Sequence, residues 1–222
     1  MFAVLFEVQP KPERFDDYLA LAKQLKPKLE AIDGFIDNER FKNQHDGRRL
    51  LSLSIWRDEK ALIRWRTHGE HHGVQEKGRF EVFEDYHLRV GEIVSDTNNG
   101  AAVTQQRFDE TEIGMAKLAT VTEVTPDGTN ALPRAAAALA ARLGLQNPGD
   151  GLLDQESFES IVTPGKLALL SSWRDAGAAA HWRPAAAGVK SIRHRGVRII
   201  RDYGMFERRE APQFYKEVHA AR

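Results

Sequence analysis

The chain has 222 residues, enough for one large domain or two small ones. Apolar residues make up 41%, which supports a packed core rather than disorder, and lysine plus arginine equal aspartate plus glutamate at 32 each, which offers no basic field for nucleic acid. Cysteine is missing, so disulfides, thiolate metal sites and a cysteine nucleophile are excluded.

The opening Phe2 to Val8 is rich in β-formers and bounded by Pro10 and Pro12, which predicts a strand. Its apolar run is short and cut by Glu7, unlike a signal peptide. No stretch approaches the roughly 20 apolar residues of a membrane span, so a soluble cytoplasmic protein is expected, with no membrane partner. Glu13 to Ala31 carries Phe15, Tyr18, Leu19, Ala22, Leu25 and Leu29 at helical spacing, with Pro27 expected to kink or shorten the last turn. Phe35 to Asn43 and Leu50 to Trp56 flank a His45-Asp46-Gly47 turn and predict a hairpin. Asp58 stands where an N-cap is needed, and a helix with Leu62 and Trp65 on one face follows from about Glu59. Phe80 to Val94 reads as a strand. The order is β-α-β-β-α-β, a ferredoxin-like split unit.

Residues 96–114 read as a linker, with Thr97-Asn98-Asn99-Gly100 as a loop. The same order then returns: a strand over Ala116 to Thr125 and an alanine-rich helix over Asn130 to Leu145. A hairpin over Leu152 to Trp173, a helix capped by Asp175 and a strand over Val197 to Arg208 complete it. Residues 210–222 form a tail, expected to hold a short helix after Pro212.

The second set of elements is a copy of the first. Trp56-Arg57-Asp58 and Trp65-Arg66 recur 117 residues on as Trp173-Arg174-Asp175 and Trp182-Arg183, and these pairs use all four tryptophans. The same offset aligns Gly34 with Gly151, Phe41 with Phe158 and Asp85-Tyr86 with Asp202-Tyr203. This is a tandem duplication of a unit of about 100 residues. The fold class is therefore α+β: two ferredoxin-like repeats, residues 1–95 and 115–209, whose sheets cover each other as an intramolecular barrel with helices outside. One chain is then a pseudo-dimer, and a further homodimer stays open.

Ala3 to Val8, Gly34 to Glu39, Leu51 to Ala61, Trp65-Arg66 and His71 together resemble the antibiotic biosynthesis monooxygenase (ABM) family of the dimeric α+β barrel superfamily. The resemblance spans about residues 1–95 and is weaker over 116–209. It implies a pocket in each unit between sheet and helices, and cofactor-independent oxygenation of a small aromatic or quinol-type substrate. A non-catalytic barrel that binds a small molecule or haem is the alternative. Haem-degrading members use an Asn on the first strand, a Trp on the second helix and a His after it. Trp65 matches, but Phe6-Glu7 stands near the Asn position and Gln75 at the usual step past the Trp, so no haem or other cofactor is expected.

The site candidates lie in Trp65-Arg66-Thr67-His68-Gly69-Glu70-His71-His72. A neutral imidazole is suited to take a phenolic proton, which makes His72 and His71 candidate bases. If one helix runs through Gly69, residues 65, 68 and 72 share a face and His71 points elsewhere; if Gly69 breaks it, either histidine can enter the pocket. Trp65, His68 and Tyr86 are candidate substrate contacts, and Trp182 a second pocket wall. His68, His72 and Glu76 have the spacing of metal ligands, but no His-Glu-x-x-His pattern exists, so no metal is expected. The second copy has Gly188 and Val189 where the first has His71 and His72, and Pro184 disturbs its helix. Any histidine-dependent site therefore belongs to the first copy. The run from Arg193 to Arg201 reads as a solvated basic face.

Overall fold

The computed structural model describes residues 1–98, 104–128, 131–145, 147–185 and 188–218. The first half contains β1 (Phe2–Pro10), α1 (Phe15–Glu30), β2 (Phe35–Asn43), β3 (Leu50–Trp56), α2 (Glu59–Arg66), α3 (Gly69–Lys77) and β4 (Phe83–Asp96). The second contains β5 (Leu118–Pro126), α4 (Ala136–Arg142), β6 (Leu152–Ser160), β7 (Leu167–Trp173), α5 (Ala176–Ala179) and β8 (Val189–Gly204). The eight strands close into one antiparallel barrel in the order β1-β3-β2-β6-β7-β5-β8-β4.

The duplication is written into the register. Phe2 faces Trp56 on β1 and β3, and Leu118 faces Trp173 on β5 and β7. The bulge between Phe35 and Asp37 recurs between Leu152 and Asp154, and the one at Gln9/Pro10 recurs at Thr125/Pro126. Two seams join the halves. His87 to Asp96 of β4 runs along Gly204 to Arg195 of β8, whereas β2 and β6 meet only at Phe41–Asn43 against Ser160–Phe158. Inward side chains such as Leu5, Phe41, Leu53, Val121, Phe158 and Ile199 fill the barrel. Their burial removes both inner sheet faces from water, the largest favourable contribution such a fold can make.

The Trp-Arg-Asp stretch is the strand-to-helix corner of each half. Trp56 and Trp173 are buried, donating to Ser54 Oγ at 3.0 Å and Thr120 Oγ1 at 2.9 Å. Asp58 accepts from the Ala61 N–H at 2.9 Å and Asp175 from that of Ala178 at 2.8 Å, so each satisfies a free donor in a first helical turn. Gly34 and Gly151 sit under these corners because a Cβ at either would come within 2.6 Å or 2.2 Å of the Cβ of Ala61 or Ala178. Arg57 does not reach a seam; it pairs locally with Asp33 at 2.8 Å and Asp58 at 3.0 Å. Asp58→Ala is expected to cost about 1 kcal/mol, read as a lower urea midpoint with an unchanged m-value.

Several boundaries differ from expectation. Pro27 does not shorten α1, which runs to Glu30: its ring removes only the one bond from position 27 back to Lys23, and the Ala31 N–H still reaches the Pro27 carbonyl at 3.2 Å. β4 starts at Phe83, not Phe80, because a π-helical turn occupies Gly78–Val82. α4 begins only at Ala136; Asn130, the expected start, lies outside the described residues. β8 starts at Val189, well before the expected Val197. Residues 212–218 form no helix, and 219–222 lie outside the described residues.

The connection between halves is fastened rather than loose, although Asn99 and Gly100 of its expected loop lie outside the described residues. The fully buried Glu92 carboxylate accepts from the backbone N–H of Gln106 at 2.6 Å and of Arg107 at 3.2 Å, and from Arg198 at 2.7 Å. Arg107 in turn grips both oxygens of Glu59 at 2.7 Å. The Arg193–Arg201 run is likewise no solvated face. Arg193 pairs with Asp96, Arg195 with Glu123 and Arg198 with Glu92. Asp96 and Glu92 lie on β4 across the seam, and Glu123 lies on the adjacent strand β5.

Candidate active site

A cavity of about 210 Å³ lies between the outer face of the first-half sheet and α1, α2 and α3. Val4 and Phe6 of β1, Leu88 and Val90 of β4, and Leu25 and Leu62 from the helices supply apolar wall. Phe6, Phe83 and Tyr86 pack edge-on or tilted, with centroids 5.8–6.1 Å apart. The extended tail crosses one side: Gln213 Nε2 donates to Arg66 O at 3.3 Å and Gln75 Oε1 at 3.2 Å, and Tyr215 OH donates to Gln75 Oε1 at 3.3 Å.

The histidines are sorted by a helix break one residue before Gly69. Thr67 Oγ1 bonds back to the Ile63 carbonyl at 2.9 Å, and His68 is extended (φ −62°, ψ 126°) as the residue before α3. The chain therefore turns between α2 and α3. That turn carries His71 back over Trp65, with centroids 4.1 Å apart and planes 14° apart. His71 lines the cavity. Its Nδ1–H donates to the Trp65 carbonyl at 2.9 Å, which leaves the lone pair on Nε2. Burial pushes its pKa down to about 4, against the upward pull of that carbonyl, so the ring is neutral at physiological pH.

His72, the other candidate base, is exposed and lies outside the cavity lining; it stacks on Tyr215 with centroids 5.7 Å apart. His68 also lies outside the lining, its ring 5.9 Å from Trp65. Trp65 and Tyr86 do line the cavity. The Tyr86 hydroxyl accepts from Arg208 at 2.6 Å and Arg79 at 3.2 Å. Among the described residues, no cluster of three or more His, Asp or Glu side chains could hold a metal ion.

The second half is filled where the first is open. Trp182 is 2% exposed, meets His194 edge-on at 5.8 Å and packs with Leu139, Leu143 and Leu169. It is core, not a pocket wall. The short α5 permits this: its helix ends at Ala179 before Pro184, and the indole drops onto the sheet.

Sequence reading missed the cationic side of the cavity. Arg40, Arg66, Arg201 and Arg208 line it, with Tyr203 and Tyr215. Arg66 directly follows Trp65, and Tyr203 repeats Tyr86 at the offset of the duplication, so both were within reach. The placement of Arg208 and Tyr215 depends on the course of the tail, which has no periodic pattern.

Burial also holds His194 down to about 4, from the ordinary 6.5. His71 and His194 thus bind protons more weakly folded than unfolded. Their contribution to stability is fully present above pH 6.5 and is lost as pH falls toward 4. Urea unfolding is expected to show that loss. His194→Gln should flatten the slope; an unchanged slope contradicts this.

The closed barrel and the repeated corners define a tandem α+β barrel, with a helix-covered cavity in its first half. Residues 1–77 match the family model described as antibiotic biosynthesis monooxygenase. The chain is 42% identical to a Pyricularia oryzae protein named jasmonate monooxygenase ABM, over 97% of this chain and 98% of that one. It is 32% identical to the Bacillus subtilis protein YqjZ, over 41% of this chain and 78% of that one. The chain belongs to the antibiotic biosynthesis monooxygenase family. The crystal structure of an aldoxime dehydratase shares the fold, with a TM-score of 0.54 at 12% identity, over 89% of this chain and 80% of that one. No helix among the described residues is long and apolar enough to cross a membrane.

Proposed function

We propose that the chain oxygenates a small, mostly apolar substrate in the first-half cavity, using no bound flavin or metal, with His71 as the base. The observation that carries this reading is the His71 tautomer: Nδ1–H tied to the Trp65 carbonyl, Nε2 free to accept a proton, on a ring that lines an apolar cavity. Burial penalises an isolated imidazolium. Proton transfer from a bound acid leaves the imidazolium beside an anion, and that pairing offsets the penalty.

The reaction balances without a reductant for an activated methylene. His71 takes one proton, and the carbanion passes electrons to dioxygen. One oxygen atom becomes the new carbonyl and the other leaves as water with both methylene hydrogens. One methylene and one dioxygen therefore give one ketone and one water. His71 returns its proton to the departing oxygen and ends neutral. A quinol-type O–H starts the same sequence.

Two features weigh against haem. The cavity, at about 210 Å³, falls below the roughly 300–1,000 Å³ of pockets for drug-sized ligands, so it suits a small ligand and not a tetrapyrrole. Phe6 brings an apolar ring into it from β1, and Gln75 is engaged by Tyr215 and Gln213.

The test is oxygen consumption by the purified chain against anthrone- and quinol-type compounds, with jasmonate included because of the relative's name. Uptake with one class is expected. No uptake across the panel removes the oxygenase reading, and ligand binding without uptake would favour a non-catalytic binding barrel.

A further inference from the structure

We infer that the ligand of this cavity carries a carboxylate, and that Arg66, Arg201 and Arg208, gathered round Tyr203, anchor it. The inference rests on the cavity being the substrate site and adds the ligand's charge to it. Five basic side chains line the cavity, Lys26 and four arginines, against one acid, Glu59. Glu59 is already held by both bonds from Arg107. Among the described residues none of the four arginines has an ion pair within 4 Å, although the other arginines of β8 are all matched to acids.

Three of the four line the cavity with Tyr203: the Arg208 guanidinium lies 5.8 Å from its ring, Arg201 is two residues before it on β8, and Arg66 follows Trp65. Tyr203 does not neutralise them: burial holds its phenol up at about 12, so it stays uncharged. Asp109, which also feels Arg201, is bonded to Arg107. Arg208 donates only to neutral oxygens, those of Tyr86, Gly204 and Gln213. The Arg66 and Arg201 side chains make no hydrogen bond to any described residue, and Arg66 Nε is buried without a partner.

Unpaired guanidinium groups beside an apolar wall are costly unless an anion completes them. A carboxylate supplies the matching two-oxygen acceptor, and guanidinium is the side chain best shaped to hold it. The volume limits the rest of the ligand to a compact apolar body, which the Phe6–Leu88 wall would cover. Arg66 follows Trp65 in the chain, so an anchored carboxylate fixes one end of a ligand that lies against Trp65 and His71.

The experiment is calorimetric titration of the full chain with 2-naphthylacetate and with its methyl ester. The acid should bind about tenfold or more tightly than the ester, and less tightly as salt rises. In Arg66→Gln/Arg201→Gln the acid should lose about tenfold and the ester nothing. Arg174→Gln, at the exposed corner of the second half and outside the cavity lining, should change neither by more than about twofold. Equal affinity for acid and ester, no binding of the acid, or an equal loss with Arg174→Gln overturns the inference. The acid–ester comparison needs no variant, so it stands even if a variant folds poorly. Acid binding with no oxygen uptake keeps the anchor and removes the oxygenase reading. Uptake from neutral compounds without preference for acids does the reverse.

Discussion

His71→Ala is expected to lower kcat/KM for oxygen uptake by about 10²–10⁴-fold, the range for loss of a positioned general base, while His72→Ala should stay within about twofold of the parent. The contrast follows from geometry. His71 lines the cavity with its Nδ1–H held by the Trp65 carbonyl, and His72 stacks outside it on Tyr215. His71→Gln keeps some of the shape but has no lone pair of comparable basicity, so it should resemble the alanine variant. The pH profile adds a second check. Because burial holds His71 near 4, the base is neutral and competent above that value and is lost as pH falls through it. No inflection from this group is expected at the ordinary imidazole value of 6.5. Equal losses in the His71 and His72 variants would contradict the assignment, because they would point to damage to α3 rather than removal of a base.

Glu92→Ala should have the largest effect on stability, about 3–5 kcal/mol by urea unfolding. Glu92 is fully buried on β4, and its two oxygens hold two backbone N–H groups of the connecting segment as well as Arg198. Removing the carboxylate leaves Arg198 charged and mostly buried with no acid, and leaves the Gln106 and Arg107 donors without that acceptor. Glu92→Gln keeps acceptor oxygen but not charge, so its loss should be smaller. A drop below about 1 kcal/mol for the alanine variant would mean that the connection contributes little to closing the barrel.

What was legible in the sequence was whatever is fixed by local pattern. The corner residues Trp56, Asp58, Trp173 and Asp175 stand out because a rare side chain and a cap recur at one offset, and the hairpins follow from alternation around turn residues. The barrel followed from symmetry, since each unit leaves one sheet face uncovered. The site was less legible because it turns on one break. A helix continued through Gly69 favours His72; stopping it at Thr67, where the hydroxyl bonds back to Ile63, brings in His71 instead. Gly69 signalled that break without saying which histidine gained. The role of Glu92 was hidden for a different reason: a lone glutamate in a strand reads as exposed until the segment that covers it is seen. The arginines were hidden in the same way. Arg193 and Arg198 find acids across the β4–β8 seam and Arg195 finds one on β5, whereas among the described residues Arg66, Arg201 and Arg208 find none within 4 Å, and no local pattern separates the two groups.

The duplication also explains the division of labour between halves. Both keep the corner that closes the barrel. Only the first has a histidine folded over its tryptophan; in the second, Trp182 is itself the filling. Losing the turn that follows Trp65 converts a cavity wall into core, with no change in strand order.

The most direct measurement is a single turnover under ¹⁸O-labelled dioxygen with chelator-treated, flavin-free protein and the best substrate of the panel. The expected product bears one labelled oxygen, with the second label in water, and the His71→Ala variant should give no product in the same time. Product without label, or turnover that returns only when a metal or flavin is added, would contradict cofactor-free oxygenation in this cavity.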